Sequence, residues 1–367
     1  MRADYDAIAV GGGLAGSAFA LGLATQGLRV AIIERTPTAQ PKVCGDFLSE
    51  EAQVLLNKLG VDVGRLGAER ITQFRMAAGN RAAIAPLPFE AAGFTRLKLD
   101  EALLEFAGRS GVEIIRGRGA TGLNLDGPWP AVQIGDRSLS AKKIALATGK
   151  HNFRGWQRHA SKLSAYKMTF ELSSAARDVL AGTVQLVGYR GGYIGACNVE
   201  GGASTLCWLV DLELLAQCGS NWRSQLDELA RGSDFIGDLV LGAEALFEKP
   251  ATIAGIPFGY RRRQAISPHV FAVGDQIAVI PSFTGDGTSI AISSGLAAAE
   301  AILRGDCAEQ YHWNFLRRLN AQFRWATAIE LTFKSALTRR LNVTAIAAFP
   351  SLATLMTRLT RLPDNLK

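Results

Sequence analysis

YDAIAVGGGLAGSAFALGLATQGLRVAIIE, residues 5–34, decides how the rest of the chain is read. An apolar run at 7–10 meets Gly11, Gly12 and Gly13. Leu14, Ala15 and Gly16 open a stretch of small, helix-forming residues, and a second apolar run at 29–33 ends in Glu34. The pattern predicts strand, glycine turn, helix, strand and acid. Gly11 allows the tight turn, Gly13 lets backbone approach a pyrophosphate, and Gly16 lets the helix lie close to the strand. The helix N-terminus then faces phosphate oxygens with unpaired N–H groups and its positive dipole end. Glu34, 18 residues beyond Gly16, is placed to accept hydrogen bonds from ribose hydroxyls. Only a short polar stretch precedes the motif, too brief for a signal peptide. The domain is expected to start with its nucleotide site.

Composition narrows the class. The chain has 367 residues, 48% of them hydrophobic and 20% charged, which suits two packed globular domains. Its longest apolar stretches, 271–280 and 344–349, fall short of the roughly 20 residues that span a bilayer, so a soluble protein is expected. The cysteines, Cys44, Cys197, Cys207, Cys218 and Cys307, are odd in number and show no CxxC spacing. They read as reduced thiols of a cytoplasmic protein. The four histidines form no cluster, so no metal is expected. Residues 310–367 hold nine Lys and Arg against two acids, an excess as large as the net +7 of the whole chain. That basic segment reads as a solvated helical face, or as a surface for anionic lipid or an acidic partner. Nucleic acid is not expected, because no binding motif accompanies the charge.

Helices are expected over 51–59 and 94–108, the latter with Leu99, Leu103, Leu104 and Phe106 near one face. Short strands are expected at 112–115, 131–134 and 143–147, with Thr148 and Gly149 in the turn after the last. The texture then changes. Segments 166–172, 184–189, 193–199 and 204–210 are rich in β-branched and aromatic residues, and paired glycines separate three of them. They predict an antiparallel sheet inserted into the nucleotide domain. A single helix is expected over 212–229 and a strand over 270–273. The fold class is thus α/β with an α+β insert. Residues 1–160 and 262–310 form a discontinuous nucleotide domain, 161–261 the antiparallel-sheet substrate domain, and 311–367 the basic helical C-terminal segment.

A second constellation follows the strand at 270–273: Gly274-Asp275, then Pro281, then Gly285-Asp286-Gly287 and a helix of small residues. An Asp after a buried strand can hold a polyol hydroxyl. The glycines let N–H groups approach a flavin edge, and the helix dipole would stabilise a reduced flavin. With these motifs the chain resembles the FAD-dependent oxidoreductases of the para-hydroxybenzoate hydroxylase fold. Within them it is most similar to the branch holding geranylgeranyl reductases, flavin-dependent halogenases and related monooxygenases. GGGLAG with Glu34, Arg96 with Leu99-Asp100, Gly274-Asp275 through Gly287, and the Cys44-Gly45-Asp46 segment carry the resemblance. The WxWxIP signature of tryptophan halogenases is absent.

The resemblance implies FAD as cofactor, held by Gly11, Gly13, Leu14, Ala15, Gly16, Glu34, Arg35, Cys44, Gly45, Arg96, Thr148, Gly149, Gly274, Asp275, Gly285, Asp286 and Gly287. Cys44 and Asp46 are the candidate catalytic residues, and each has a plainer reading: a small buried hydrophobe, and a cap for the helix that follows. Tyr193, Trp208 and Phe283 are candidates for the substrate pocket. The implied reaction is hydroxylation of an apolar or aromatic substrate by O2 through a flavin C4a-hydroperoxide. Alternatives are C=C reduction of the geranylgeranyl reductase type, with Cys44 or Asp46 as proton donor, and a non-catalytic flavoprotein partner of a carrier protein. Thr148-Gly149 stands where family hydroxylases carry Asp-Gly. NAD(P)H is therefore expected to reduce the flavin slowly, or through a separate reductase.

Overall fold

A computed structural model of the chain describes residues 2–366. Its first sheet has seven strands. Tyr5–Val10 lies at the centre, parallel to Val30–Glu34 on one side and to Arg137–Leu146 on the other. Glu113–Arg116 and Val270–Ala272 extend the parallel set. Both faces of the central strands are covered, so these segments are near-continuous apolar runs. Ile8, Ile32, Ile144 and Phe271 are fully buried. Helix α1 (Leu14–Ala24) follows the first strand, α2 is Glu50–Lys58, and α3 is Arg96–Arg109. Ser49, rather than Asp46, caps α2 by accepting from Ala52 N.

The second sheet has nine strands. Ser164–Glu171, Ser204–Val210, Gly192–Asn198 and Thr183–Tyr189 run antiparallel in that spatial order. Thr183–Tyr189 then pairs in parallel with Glu69–Ala78, which turns back into Arg81–Gly93. That long hairpin, from the segment before the insert, went unread in the sequence. Its second strand contains Pro86 and Pro88 and is rich in Ala, residues that suppress a strand signature. The pairing register shifts between Ile71 and Gln73, which takes residues 87–90 out of the ladder.

One element differs in kind from expectation. Instead of a single helix over 212–229 there are two, α5 (Leu212–Cys218) and α6 (Trp222–Arg231), after the short α4 (Ser174–Val179) and before α7 (Asp234–Val240). Gly219, at φ +60°, ends α5, and the Asn221 side chain accepts from Arg223 N and Ser224 N to start α6.

Helix α8 (Gly287–Arg304) returns to the first sheet and crosses α1. A Cβ on Gly295 would lie inside the contact shell of Ala15 O, so the two backbones touch there. The chain closes with α9 (Ala308–Thr332), α10 (Ala336–Ala348) and α11 (Ser351–Leu359). Helices α10 and α11 pack on Arg81–Gly93. Among the described residues no helix is long and apolar enough to cross a membrane.

Candidate functional site

The first glycine turn is set by three different constraints. Gly11 sits at φ +114°, a conformation that side chains disfavour, with its Cα face against the carbonyl of Ala147. A Cβ on Gly16 would collide with Gly11 O, so α1 rests directly on the turn. At Gly13 a Cβ would meet nothing nearer than Arg96 Nη2 at 3.5 Å. The space in front of α1 is therefore open. Gly13 makes no side-chain cap, and the first turn carries no acid. The free N–H groups and dipole of α1 suit a pyrophosphate there.

Glu34 is buried at the end of the second strand. Gly12 N donates to its Oε2 at 2.9 Å, while Thr36 N and Oγ1 donate to Oε1. Burial alone would raise its pKa, but these donors outweigh that and hold the carboxylate below its ordinary range. Arg35 reaches outward to His151. Arg96 forms a two-pronged pair with Asp100 at 2.8 and 3.0 Å, which fixes the guanidinium beside Gly13.

Gly274 lies at φ +60° against Ala15, and Asp275 follows it. The Asp275 carboxylate meets Lys150 Nζ at 3.4 Å. Two residues that the sequence did not reveal lock this turn to residues 148–151. Buried Arg158 donates to the carbonyls of Asp275, Gly149 and Lys150. Gln276 Nε2 donates to Thr148 Oγ1 and to the carbonyls of Gly149 and His151. Thr148 and Gly149 are thus brought to Gly274 and Asp275 by partners more than 100 residues away in sequence.

Gly285 is left-handed at φ +67°, and its Cα face meets the Phe47 ring. Asp286 is fully buried. Its carboxylate accepts from Ser289, Ser49 and Gln322, with Arg361 Nη1 at 3.7 Å. It points into protein. Thr288, in the first turn of α8, lines the cavity described next, and its hydroxyl is buried without a hydrogen-bond partner.

That cavity lies against the second sheet, beside segments 43–47 and 279–291, and under α10 and α11. Its volume is about 230 Å³. Phe74, Leu186, Phe258, Ile329, Phe333 and Met356 give it an apolar character. Cys44, Gly45, Arg96, Asp275, Gly285 and Gly287 also line it. A Cβ on Gly45 or Gly287 would meet nothing within 4 Å. Tyr193, Trp208 and Phe283 all line it. Tyr193 hydrogen-bonds Ser282, Phe283 stacks on Phe333 at 5.3 Å, and Trp208 Nε1 donates to Gln225. Burial and the nearby Asp46 carboxylate push the Cys44 thiol above its ordinary pKa.

Asp46 does not line the cavity. It is fully buried at φ +55°, the single non-glycine with positive φ among the described residues. Lys167 Nζ lies 2.9 Å away and is itself 2% exposed. Thr205 Oγ1 donates to the carboxylate at 2.7 Å, and Arg96 N at 3.1 Å. The carboxylate ties the Cys44-Gly45 segment to the second sheet and to the start of α3. Removing one member of such a pair costs about 3–5 kcal/mol.

The open cradle at Gly13, the free N-terminus of α1 and the orphaned Thr288 hydroxyl fit an extended dinucleotide with a flavin at the cavity mouth. Comparison with known proteins agrees. Residues 4–144 match the FAD binding domain family. The menaquinone reductase of Mycolicibacterium smegmatis is 23% identical over 100% of this chain and 93% of its own. Squalene epoxidase 5 of Arabidopsis thaliana is 32% identical over 87 residues, which is 23% of this chain and 17% of that protein. The match thus spans less than a fifth of that relative. The flavin-dependent brominase Bmp2 superposes with a TM-score of 0.82 at 17% identity, over 97% of this chain and 93% of Bmp2. The chain carries an FAD-binding domain, has the fold of the FAD-dependent oxidoreductases, and takes FAD as its cofactor.

Proposed function

We propose that the protein is an FAD-dependent monooxygenase of an extended apolar substrate. The observation that carries this reading is the apolar cavity that Gly45, Gly285 and Gly287 help to line. Residues 1–160 and 262–310 hold the cofactor, through Gly11–Gly16, Glu34, Arg96 and Asp275. The sheet of 161–261, with the hairpin of residues 69–93, forms the substrate wall, and helices α9 to α11 close the cavity. Bound FAD, once reduced by NAD(P)H or a partner reductase, would supply the two electrons that activate O2, so that with two protons one oxygen atom enters the substrate and the other leaves as water.

The chain positions and dries the reaction. Phe74, Leu186 and Phe333 exclude water and orient an apolar chain by shape. The N–H groups at the start of α8 and the Thr288 hydroxyl offer dipoles to the flavin edge. Lys150, paired with the Asp275 carboxylate at 3.4 Å beside the cavity, offers an ammonium donor to a flavin or phosphate oxygen. Asp46, held by Lys167 and Thr205, acts as a positioning residue for the Cys44-Gly45 segment.

A second reading, reduction of a substrate C=C bond, is favoured by two observations. The Cys44 thiol lines the cavity and stays protonated, and the match to a menaquinone reductase runs the full length of this chain. Hydride from reduced flavin and a proton from Cys44 Sγ would then saturate the bond.

Mass analysis separates the two. Protein loaded with FAD, photoreduced and exposed to O2, is given squalene or a menaquinone. A product heavier by one oxygen, with O2 consumed in step with it, supports monooxygenation. Gain of two hydrogens under anaerobic conditions, weakened by Cys44→Ala, would replace that reading with the second.

A further inference from the structure

The C-terminal helices have an outward face that the cavity does not use. On α10, Leu337, Leu341 and Ala348 follow one another on one side of the helix, and all are exposed. On α11, Leu352 and Leu355 do the same, and Phe349 projects from the turn that joins the helices. Leu337, Leu341, Phe349 and Leu355 are each more than half exposed. An ordinary soluble helix turns its polar side to water. Here the inner sides of the same helices are also apolar: Val343, Ile346 and Ala353 are buried. Contiguous exposed apolar side chains of this size mark an interaction surface.

Charge identifies the partner. Residues 331–363 contain no Asp or Glu. Lys334, Arg340 and Arg358 are exposed around the apolar face. Two other cations of this stretch are spent inside the protein: Arg339 donates to the carbonyls of Phe333 and Lys334, and Arg361 donates to Thr284 O. An apolar centre ringed by lysine and arginine, free of acids, matches the headgroup region of an anionic bilayer. The helices are too short to span it, so they would lie in the plane of the interface.

We infer that α10 and α11 dock the protein on an anionic lipid surface through Leu337, Leu341, Phe349, Leu352 and Leu355, with Lys334, Arg340 and Arg358 contacting lipid phosphates. The cavity lies directly behind this face, since Ile346, Ala353 and Met356 of the same helices line it. Docking brings an apolar cavity within one helix thickness of a hydrocarbon phase. The surface stands whatever reaction the flavin performs, and its test is read without turnover.

The full-length FAD-loaded protein is floated with vesicles of phosphatidylcholine alone and of phosphatidylcholine with phosphatidylglycerol. Binding is expected to the mixed vesicles, weak to the neutral ones, and lost on adding salt. Each of Lys334→Gln and Arg358→Gln should lower partitioning about fivefold. Leu341→Asp with Leu355→Asp should abolish it, with bound FAD and the melting temperature unchanged. Absence of binding to the mixed vesicles would overturn the inference, as would binding that the Leu341→Asp, Leu355→Asp protein retains. A wild-type dimer that this double variant converts to monomer, with no vesicle binding, would assign the face to a second copy of the chain instead.

Discussion

The two glycine turns look alike in sequence and differ in what they hold. At the first, Gly11 to Gly16, the backbone touches itself and leaves open space in front of α1. At the second, Gly285 to Gly287, the acid between the glycines turns inward. Asp286 gathers Ser49 from before α2, Ser289 of α8, Gln322 of α9 and Arg361 from beyond α11. One turn leaves open space that suits a ligand, while the other anchors the C-terminal helices. An acid in a glycine loop therefore reports two separate things, a binding site or a buried joint, and only its partners tell which.

The largest effect should come from closing the first turn. Gly16→Ala puts a methyl group where Gly11 O and Ala147 already sit. Helix α1 would have to leave the sheet, at a cost of about 3 kcal/mol or more. The protein should purify colourless and melt well below wild type. Gly13→Ala makes the informative contrast, because its Cβ meets no protein atom closer than 3.5 Å. That variant should fold normally and bind FAD weakly. Retention of FAD and of the wild-type melting temperature by Gly16→Ala would break the reading of this turn.

The second turn should fail in stability before it fails in binding. Asp286→Ala strips Gln322, Ser289 and Arg361 of a common acceptor inside the protein. A loss of about 2–4 kcal/mol is expected, along with faster proteolysis within α10 and α11. Asp286→Asn sharpens this through pH. Burial raises the Asp286 pKa above its ordinary 3.8, against the pull of Arg361. The folded state thus holds a proton that the unfolded state releases. This contribution is complete below about pH 3.8 and is lost as pH rises through the folded value. Wild-type stability should therefore fall relative to Asp286→Asn over that window. Denaturant melts of the two proteins across the range would show it, and parallel curves would remove Asp286 as the titrating joint.

How much could be read beforehand follows from the range of the interactions. Residues 5–34 are local: periodicity, glycine spacing and a terminal acid each act within one βαβ unit, and the strands and α1 fall where expected. The strands at 131–134 and 204–210 were equally legible. The hairpin of residues 69–93 was not, because Pro86, Pro88 and its alanines obscure the alternation that would reveal a strand. The small-residue crossing of α1 and α8 at Gly295 looks like ordinary helix composition until the two helices meet. The same holds for the Asp46–Lys167 pair and for Arg158. Lys167 sits on a strand far along the chain from Asp46, and the Asp275 carbonyl is 117 residues from Arg158. A charge beside Cys44-Gly45 suggested chemistry, while the ammonium that occupies it sits on a strand whose neighbours all read as apolar core.

The smallest effect belongs to Asp275, in the Gly274-Asp275 turn that precedes the second glycine turn, and it tests whether that turn holds a ligand beside its structural role. Its carboxylate is about a quarter exposed, and its ion pair with Lys150 at 3.4 Å is worth little to folding in such a setting. The turn is clamped through its backbone instead, since Arg158 holds the Asp275 carbonyl and Gln276 holds residues 148–151. Asp275→Ala should therefore leave the melting temperature of the FAD-free protein within a few degrees of wild type. The cofactor should feel the change more. A charge-assisted hydrogen bond from a flavin polyol hydroxyl is worth about 1.5–3 kcal/mol, so the FAD dissociation constant should rise roughly 10- to 100-fold. Asp275→Asn, which keeps an acceptor without the charge, should fall between the two. Fluorescence titration of FAD into the three proteins gives the order directly. If Asp275→Ala binds FAD as tightly as wild type, the Gly274-Asp275 turn is a joint alone, as Asp286 is, and the contrast with Gly11–Gly16 becomes one of ligand against scaffold.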